Sequence, residues 1–375
     1  MHLVRKLSVP ILIFSLLGFI TGCGPWGSTQ PTVKIGLVAP FEGLYRPLGY
    51  EVLSAVKLAI SERNQAGGVE GHMVELVALN DDQDPTVAVR RAREMAVDGD
   101  VVGVIGHFGE QTTLAVLSSY CEAGLALVVP ASTATDVTES GCGQTFRLVA
   151  DDGVLGAAAA RYAVVQRGAR RLAVIGGSVD LVDSFAFRAR QEGALVSQHL
   201  DDDRVALLAA LESEGPDMIF FGGEALEGAE LLLELRAAGL DIPLLGSNGL
   251  NSPHFVQVAG NTAVGTAYLS ITPPLESEHF SEGYVAPAGG PPGPYAALAY
   301  DAARLLLDAV ERSIAVEGRA TREAVVVALS ETEEYEGLTG RISFDERGQA
   351  REPRIYIYEI VDGKYPGQLQ SCPDC

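Results

Sequence analysis

The sequence predicts an α/β protein with two lobes, each built around a doubly wound parallel sheet. Its 375 residues are enough for two domains, and 47% of them are apolar, enough to form a sizeable core. Short β-branched runs alternate with longer amphipathic segments, and this alternation starts again after residue 147. Because most predicted strands end at Gly, Pro or Asn, we interpret the pattern as two series of βαβ units.

The first series begins with a strand at 33–39 and a helix at 49–64. Apolar residues of that helix fall at i, i+3, i+4, i+7 and i+8, and Gly67-Gly68 ends it. The elements that follow are a strand at 73–79, a helix at 85–97 capped by Asp84, a strand at 101–105, a helix at 111–122 and a strand at 125–129.

The second series and the C-terminal part follow the same rhythm less regularly. Helices are predicted at 154–166, 184–191, 205–214, 226–238 and 295–317, and strands at 172–175, 194–199, 218–221, 243–246, 264–271, 341–344 and 354–360. Residues 272–293 are rich in Pro, Gly, Ser and Glu and are predicted to form a loop. Ligands of such sheets bind beyond the carboxyl ends of the strands, so we expect a site in a cleft between two facing lobes.

The N-terminus has the features of an export signal. Arg5 and Lys6 precede an apolar run at 7–20, which is shorter than the roughly 20 residues that a membrane span needs. The run ends in Ile20-Thr21-Gly22-Cys23, which resembles a bacterial lipobox. We therefore expect residues 1–22 to be removed, Cys23 to carry lipid and residues 23–32 to form a tether. The alternative is an ordinary signal peptide followed by a chance cysteine.

The net charge of −22 restricts the partners of the protein. Basic residues are sparse and scattered, which argues against a nucleic-acid ligand, because phosphates require clustered Lys and Arg. An acidic surface is repelled by anionic lipid, so we expect membrane contact through the lipid anchor only.

Four cysteines remain after Cys23, and an even number in an exported protein favours disulfides. We predict two bridges, Cys121–Cys142 and Cys372–Cys375. A CxxC sequence is also typical of redox and zinc sites, but zinc needs further ligands and the six histidines offer no close pair. We therefore expect no metal.

Motifs for catalysis or for a cofactor are missing from the sequence. It has no GxGxxG, GxxxxGK, GxSxG or HExxH, so we expect no cofactor and no enzymatic activity. Residues 81–84 resemble part of a calcium loop, but without a glutamate at the twelfth position they are better explained by a turn and a helix cap. His107 is predicted to be structural or cleft-lining, and Tyr356 and Tyr358 to be packing residues.

A series of short motifs spans most of the chain. They are Ile35–Pro40, Ala55–Ile60, Asn64–Gly71, Asp81–Val89, Val104–His107, Pro130–Thr135, Phe146-Arg147 and Tyr300–Ala303. In this order they resemble the leucine/isoleucine/valine-binding proteins, which are type I periplasmic binding proteins of branched-chain amino acid ABC transporters. The resemblance implies that fold, with three crossover strands near 152, 272 and 342. Lobe I would comprise 33–152 plus 272–342, and lobe II 153–271 plus 343–375.

The resemblance also implies a ligand site. The family binds an amino acid through hydroxyl and main-chain donors, an acidic group and aromatic walls. Thr133, after Ala131 and Ser132, matches the family's ligand-binding threonine, and Tyr295 matches an aromatic residue of the site.

Four further positions depart from the family pattern. Glu110 replaces a serine, Leu181 and Glu224 replace tyrosines, and Asn248 replaces the ammonium-binding glutamate. If Glu110 and Glu224 both face the cleft, the site is acidic and suits a cationic or polyhydroxyl ligand. The alternative is that either glutamate points to solvent at the edge of the cleft.

The leading hypothesis is therefore the solute-binding component of an ABC transporter, a monomer that captures a small polar solute, such as an amino acid, by hinge closure and presents it to a permease. It would be exported and lipid-anchored, facing the periplasm or the cell exterior. A sensor of the same fold with a non-amino-acid ligand is the alternative. A third possibility, an exported hydrolase using Glu110 and Glu224, needs a fixed carboxylate separation of about 5–10 Å, which a moving cleft would not hold.

Overall fold

The structure is a computed structural model that describes residues 30–199 and 203–371. The predicted signal peptide 1–22, the lipidation site Cys23, and Cys372 and Cys375 lie outside these residues. Two large sheets with helices on both faces form the centre of the protein, which confirms the predicted α/β class. Thr32, which was predicted to end the tether, instead begins the first strand.

The first sheet has five parallel strands in the order β2-β1-β3-β4-β5. Its strands are β1 (Thr32–Ala39), β2 (Met73–Asn80), β3 (Val101–Ile105), β4 (Ala126–Val129) and β5 (Thr145–Arg147). The helices between them are α1 (Arg46–Gln65), α2 (Pro85–Val97), α3 (Glu110–Glu122) and the single turn α4 (Asp136–Glu139). Helix α2 begins where Asp84 accepts hydrogen bonds from the N–H groups of Thr86 and Val87, so the predicted cap is confirmed.

The second sheet has seven strands in the order β14-β13-β10-β9-β8-β6-β7. Five are parallel, namely β6 (Arg171–Ile175), β7 (Leu195–His199), β8 (Met218–Phe221), β9 (Leu244–Gly246) and β10 (Ala267–Ser270). Two further strands with antiparallel pairing, β13 (Tyr356–Glu359) and β14 (Gln368–Ser371), extend it at one edge. Helices α5 (Asp152–Arg161), α6 (Val179–Gln191), α7 (Arg204–Glu214), α8 (Ala225–Ala237) and α9 (Pro253–Ala259) cover it.

Between β10 and β13 the chain returns to the first sheet. Helix α11 (Ala296–Glu317) packs against α1 and β3, and α12 (Arg322–Ser330) packs against α11. The short hairpin of β11 (Tyr335–Gly337) and β12 (Gly340–Ile342) is held by buried Asp301 of α11, which accepts hydrogen bonds from the backbones of Leu338 and Thr339.

The predicted loop at 272–293 was wrong over half its length, because α10 (Glu278–Ala288) lies within it. Ser277 caps this helix by accepting from the N–H of Phe280, and the buried side chains of Phe280 and Tyr284 face the core one turn apart. A high content of Pro, Gly and Ser concealed this short amphipathic segment.

Alternate residues along each strand pack on opposite faces of its sheet. Ile35 and Leu37 belong to a core with α1 and α11, whereas Val38 packs with α2 and α3. In the second sheet Phe220 stacks on Phe185 of α6 with ring centroids 4.2 Å apart, and Phe221 faces the opposite side.

The chain passes between the sheets after β5, after β10 and between β12 and β13. The first and third passes pair through their backbones, since the N–H of Arg147 donates to Gly348 and that of Ala350 donates to Arg147. The guanidinium of Arg147 is 1% exposed and donates to the carbonyl of Ala134, to Thr138 and to Gln349. Arg147 therefore connects the loop after β4 to both passes.

Candidate functional site

A cavity of about 450 Å³ lies between the carboxyl ends of the two sheets. The loops after β3 and β4 and the beginning of α1 line it on one side. The loops after β6, β8 and β9 line it on the other side. This is where parallel α/β sheets place their ligands, because helix N-termini and strand-end loops converge there.

All eight residues that the sequence suggested as ligand contacts line this one cavity. They are Glu110, Ala131, Ser132, Thr133, Leu181, Glu224, Asn248 and Tyr295. They come together because each follows a strand or begins a helix at the same end of its sheet. Glu110 and Glu224 both line the cavity, and both are also exposed to solvent.

The first wall contains a buried hydroxyl without a partner. Ser132 follows β4 and is 3% exposed, and its Oγ makes no hydrogen bond among the described residues. Beside it, the carbonyl of Thr133 accepts from the N–H of Asp152, which fixes the loop against the beginning of α5. An unpaired buried hydroxyl costs about 1–3 kcal/mol, so a bound polar group would satisfy Ser132.

The second wall is built from close backbone approaches. A Cβ on Gly249 would lie 2.3 Å from the carbonyl oxygen of Gly223, so only glycine lets the loops after β8 and β9 meet. Asn248 accepts at Oδ1 from the N–H of Ile271, and its Nδ2 lies 3.5 Å from the hydroxyl of Tyr295. Asn248 therefore brings the second lobe to the beginning of α11.

The cavity is acidic. Glu110, Asp152 and Glu224 line it, and none of its described lining residues is Lys, Arg or His. Burial raises the pKa of Glu110, and the nearby charges of Asp152 and Asp180 raise it further. Burial also raises the pKa of Glu224, with added repulsion from Glu227 and Glu110. Each of the two carboxylates thus feels other negative charges around the cavity.

Several lining residues were not predicted from the sequence. They are Tyr45, Leu48, Gln83, Phe108, Gly109, Gln111, Asp152, Leu155, Ser178, Gly222, Ser247 and Gly249. Six of the twelve lie within two residues of Glu110, Glu224 or Asn248 and follow a strand, so the strand-end rule could have found them. Asp152 accepts a 2.6 Å hydrogen bond from Ser178 and had no such signal, because it lies on the first pass between the sheets.

His107 is buried and directly precedes the lining residues Phe108 and Gly109. Its Nδ1 lies 2.7 Å from the carboxylate of Asp81 and its Nε2 lies 3.3 Å from the hydroxyl of Tyr120. All three side chains are at most 1% exposed, so His107 is structural, one of the two roles expected for it. Tyr356 and Tyr358 are buried as predicted, and Tyr358 stacks on Tyr268.

Cys121 and Cys142 form the predicted disulfide. Within residues 30–199 and 203–371, no group of three or more His, Cys, Asp or Glu side chains is arranged to hold a metal ion. Nor does any helix of these residues have the length and apolar character needed to cross a membrane.

A second concavity of about 940 Å³ lies on the outer surface along α2. Only the first lobe lines it, through α2 and Ala115, and it reaches none of the strand-end loops. The cavity between the sheets is therefore the candidate site.

Two α/β lobes around one interlobe cavity define a two-lobed solute-binding protein. A family model for periplasmic binding proteins matches residues 32–364, so the chain belongs to that family.

Known proteins support the same assignment. The chain is 26% identical over 367 residues to Leu/Ile/Val-binding protein homolog 3 of Brucella melitensis, covering 95% of this chain and 98% of the relative. The crystal structure of a leucine-binding protein from Thermotoga maritima matches with a TM-score of 0.80 and 27% identity, covering 92% of this chain and 99% of that one. The crystal structure of a substrate-binding protein of Desulfitobacterium hafniense in complex with leucine matches with a TM-score of 0.78 and 26% identity. The match covers 90% of this chain and 100% of that one.

Proposed function

We propose that the protein captures a small polar solute in the interlobe cavity and delivers it to the permease of an ABC transporter. The observation that carries this proposal is the cavity itself, which both lobes line at the carboxyl ends of their strands. Its volume of about 450 Å³ is within the range of small-molecule sites, about 300–1,000 Å³.

The relatives narrow the class of solute. Their names assign them leucine, isoleucine and valine, or leucine alone, which are solutes of amino-acid size. We propose that a solute of this size contacts Glu110, Ala131, Ser132, Thr133, Leu181, Glu224, Asn248 and Tyr295.

Capture would occur by closure of two lobes around the solute. We propose that 33–152 plus 272–342 form lobe I and that 153–271 plus 343–375 form lobe II. The passes near 152, 272 and 342 would be the hinge, and Arg147 would hold two of them together. Closure would bury the solute and create the surface that the permease recognises.

We propose that the protein is exported and anchored through lipid on Cys23, and that it acts as a monomer. Metabolic labelling with palmitate tests the anchor. The natural chain should incorporate label and partition into detergent, whereas Cys23→Ser should do neither. A Cys23→Ser chain that still partitions would refute the lipid anchor without affecting the cleft.

We also propose that the protein binds its solute without converting it. Glu110 and Glu224 belong to opposite lobes, so movement of the lobes changes the distance between their carboxylates. Mass spectrometry of a bound solute after prolonged incubation should recover it unchanged, and a converted product would indicate an enzyme.

A thermal-shift screen of the purified protein tests solute binding. The panel would contain neutral, basic and acidic amino acids, polyamines, sugars and nucleosides. A ligand at about 100 times its Kd stabilises the folded state by about 2.7 kcal/mol, which raises Tm by a few degrees. A shift that is lost in Thr133→Val would support the cavity as the site. No shift with any class would contradict the proposed function.

A further inference from the structure

The charge of the cavity distinguishes among possible solutes. Its described lining includes three carboxylates, Glu110, Asp152 and Glu224, and no basic side chain. Arg46, at the beginning of α1, is directed elsewhere, since its guanidinium lies 5.2 Å from the centre of the Tyr50 ring. A negatively charged group in this cavity would be repelled by Glu110 and Glu224, whereas the charge of Asp152 is partly compensated by the buried guanidinium of Arg147, which does not line the cavity.

Most helix N-termini at the cavity, which would attract anions, are offset by carboxylates. Six helices begin there, and four have an acidic residue in the first turn, namely Glu110 of α3, Asp152 of α5, Asp180 of α6 and Glu227 of α8. Helices α1 and α11 have none, but the N-terminus of α11 is occupied by the carboxylate of Glu51, which accepts from the N–H of Tyr295.

Two of the acids have no structural partner. Glu110 and Glu224 make no hydrogen bond and no ion pair with the described residues, and neither provides a side-chain cap for its helix. Asp152 differs, because it accepts from Ser178. Glu110 and Glu224 come from opposite lobes and repel each other, so a positive charge between them would relieve an unfavourable interaction.

A second, independent observation also indicates a polar ligand. Ser132 belongs to the cavity lining, 97% of the residue is buried, and its Oγ has no hydrogen-bond partner among the described residues. A hydroxyl can donate or accept, so it suits a hydroxyl, amide or amine group of the solute.

We propose that the solute is a cation whose ammonium or guanidinium group binds between Glu110 and Glu224 while another polar group meets Ser132. This inference rests on the proposed function, because it requires the cavity to be the solute site. It separates this chain from relatives whose names assign them branched-chain amino acids, which carry no net charge.

Isothermal titration calorimetry with four solutes tests the inference. Agmatine has two positive groups and no carboxylate, L-arginine has a net positive charge, L-leucine is neutral overall and succinate is an anion. We expect agmatine or L-arginine to bind at least tenfold more tightly than L-leucine, and succinate not to bind.

Three variants test which carboxylates contact the cation. Glu110→Gln and Glu224→Gln should each weaken binding of the cation by about tenfold. Glu230→Gln is the matched control, because it removes the same charge from an exposed position of α8 outside the cavity. It should change the Kd less than twofold. If all three variants lost the same affinity, long-range attraction to the negative charge of the protein would explain the binding. That result would overturn the proposed contacts of the cation with Glu110 and Glu224.

The possible failures are distinguishable. If L-leucine binds most tightly and Glu224→Gln strengthens its binding, the cationic inference is wrong and the proposed function stands. If none of the four solutes binds and the wider thermal-shift panel is also negative, the proposed function itself fails.

Discussion

The carboxylate of Glu51 in α1 accepts a hydrogen bond from the backbone N–H of Tyr295, the aromatic residue at the cavity end of α11. The loop before Tyr295 also packs closely on this carboxylate, because a Cβ on Gly293 would lie 2.2 Å from Glu51 Oε2. Tyr284 donates to the carbonyl of Glu51 at 3.1 Å. Glu51 thus holds one wall of the cavity through contacts that span more than 200 residues of sequence.

This contact predicts a dependence of stability on pH. Burial raises the pKa of Glu51 from 4.5 to about 7, although the backbone N–H groups of Tyr295 and Ala296 oppose the shift. Because the folded state favours the neutral acid, its stabilising contribution is complete below the unfolded pKa near 4.5 and is lost as the pH rises through about 7.

Glu51→Gln keeps an acceptor for Tyr295 and cannot ionise. We expect its free energy of unfolding to exceed that of the natural protein by about 1–2 kcal/mol at pH 8 and to differ little near pH 4.5. Urea unfolding at both pH values measures this, with Glu42→Gln in the preceding exposed loop as control. A difference that is the same at both pH values would contradict the prediction.

Ser132 predicts opposite effects on stability and binding. Ser132→Ala removes a buried hydroxyl that has no partner, so we expect the free energy of unfolding to stay equal or rise by up to about 1 kcal/mol. The affinity for the solute should fall by about fivefold to tenfold, because the solute loses one hydrogen bond. Ser118→Ala, at an exposed position of α3, is the control. Unfolding and calorimetry would contradict the account if Ser132→Ala lost stability but kept its affinity.

Binding of a cation should weaken at acidic pH. The pKa values of Glu110 and Glu224 are both raised, so these groups take up protons at a higher pH than an ordinary glutamate. Agmatine keeps its charge between pH 8 and about pH 5, so a loss of affinity over this range reports the protein. The groups that influence the two glutamates are Asp152 and Asp180 for Glu110, and Glu227 with Glu110 for Glu224.

Calorimetry at several pH values checks this prediction. The profile of Glu224→Gln should be flatter than that of the natural protein. Affinity that stays constant, or becomes tighter, as the pH falls to about 4, below the ordinary pKa of a glutamate, would show that these carboxylates do not contact the cation.

The disulfide between Cys121 and Cys142 closes a loop with a sequence separation of 21 residues around β4. A loop of this size stabilises the folded state by about 3 kcal/mol, mainly by restricting the unfolded chain. We expect the Cys121→Ser, Cys142→Ser double variant to lose stability of this order in urea unfolding. Because the bridge lies outside the cavity lining, the Kd of the variant below its Tm should be unchanged. A large change in Kd with unchanged stability would contradict this role.

The pairing of Cys372 with Cys375 remains a prediction. Alkylation of the unfolded, unreduced chain followed by mass spectrometry counts free thiols. We expect none in the processed protein apart from any unlipidated Cys23, and two additional labelled thiols would contradict a second bridge.

The sequence was informative where local pattern determines structure. The strands at Val101–Ile105 and Met218–Phe221 and the helix at Pro85–Val97 match their predicted bounds, because continuous apolar runs and an Asp-Pro start are strong local signals. The candidate site residues converge for a similar reason, since each lies just beyond the end of a strand or at the beginning of a helix.

Other features depend on contacts that are distant in sequence. Helix α10 is stabilised because Phe280 and Tyr284 are buried. The Pro- and Gly-rich composition of the segment gives no sign of this burial. Strand β13 pairs antiparallel with β10 after the chain re-enters the second sheet from a pass, and the edge strand β14 pairs antiparallel with β13, which periodicity cannot reveal. The contacts of Asp81 with His107 and of Glu51 with Tyr295 likewise require the folded chain.

A crystal structure of the protein with the solute that gives the largest thermal shift would show whether the interlobe cavity holds a cation. We expect the solute to lie between the lobes, within hydrogen-bond distance of Ser132, with its positive group between Glu110 and Glu224. A solute bound outside this cavity, or one whose carboxylate faces Glu110 and Glu224, would contradict this proposal.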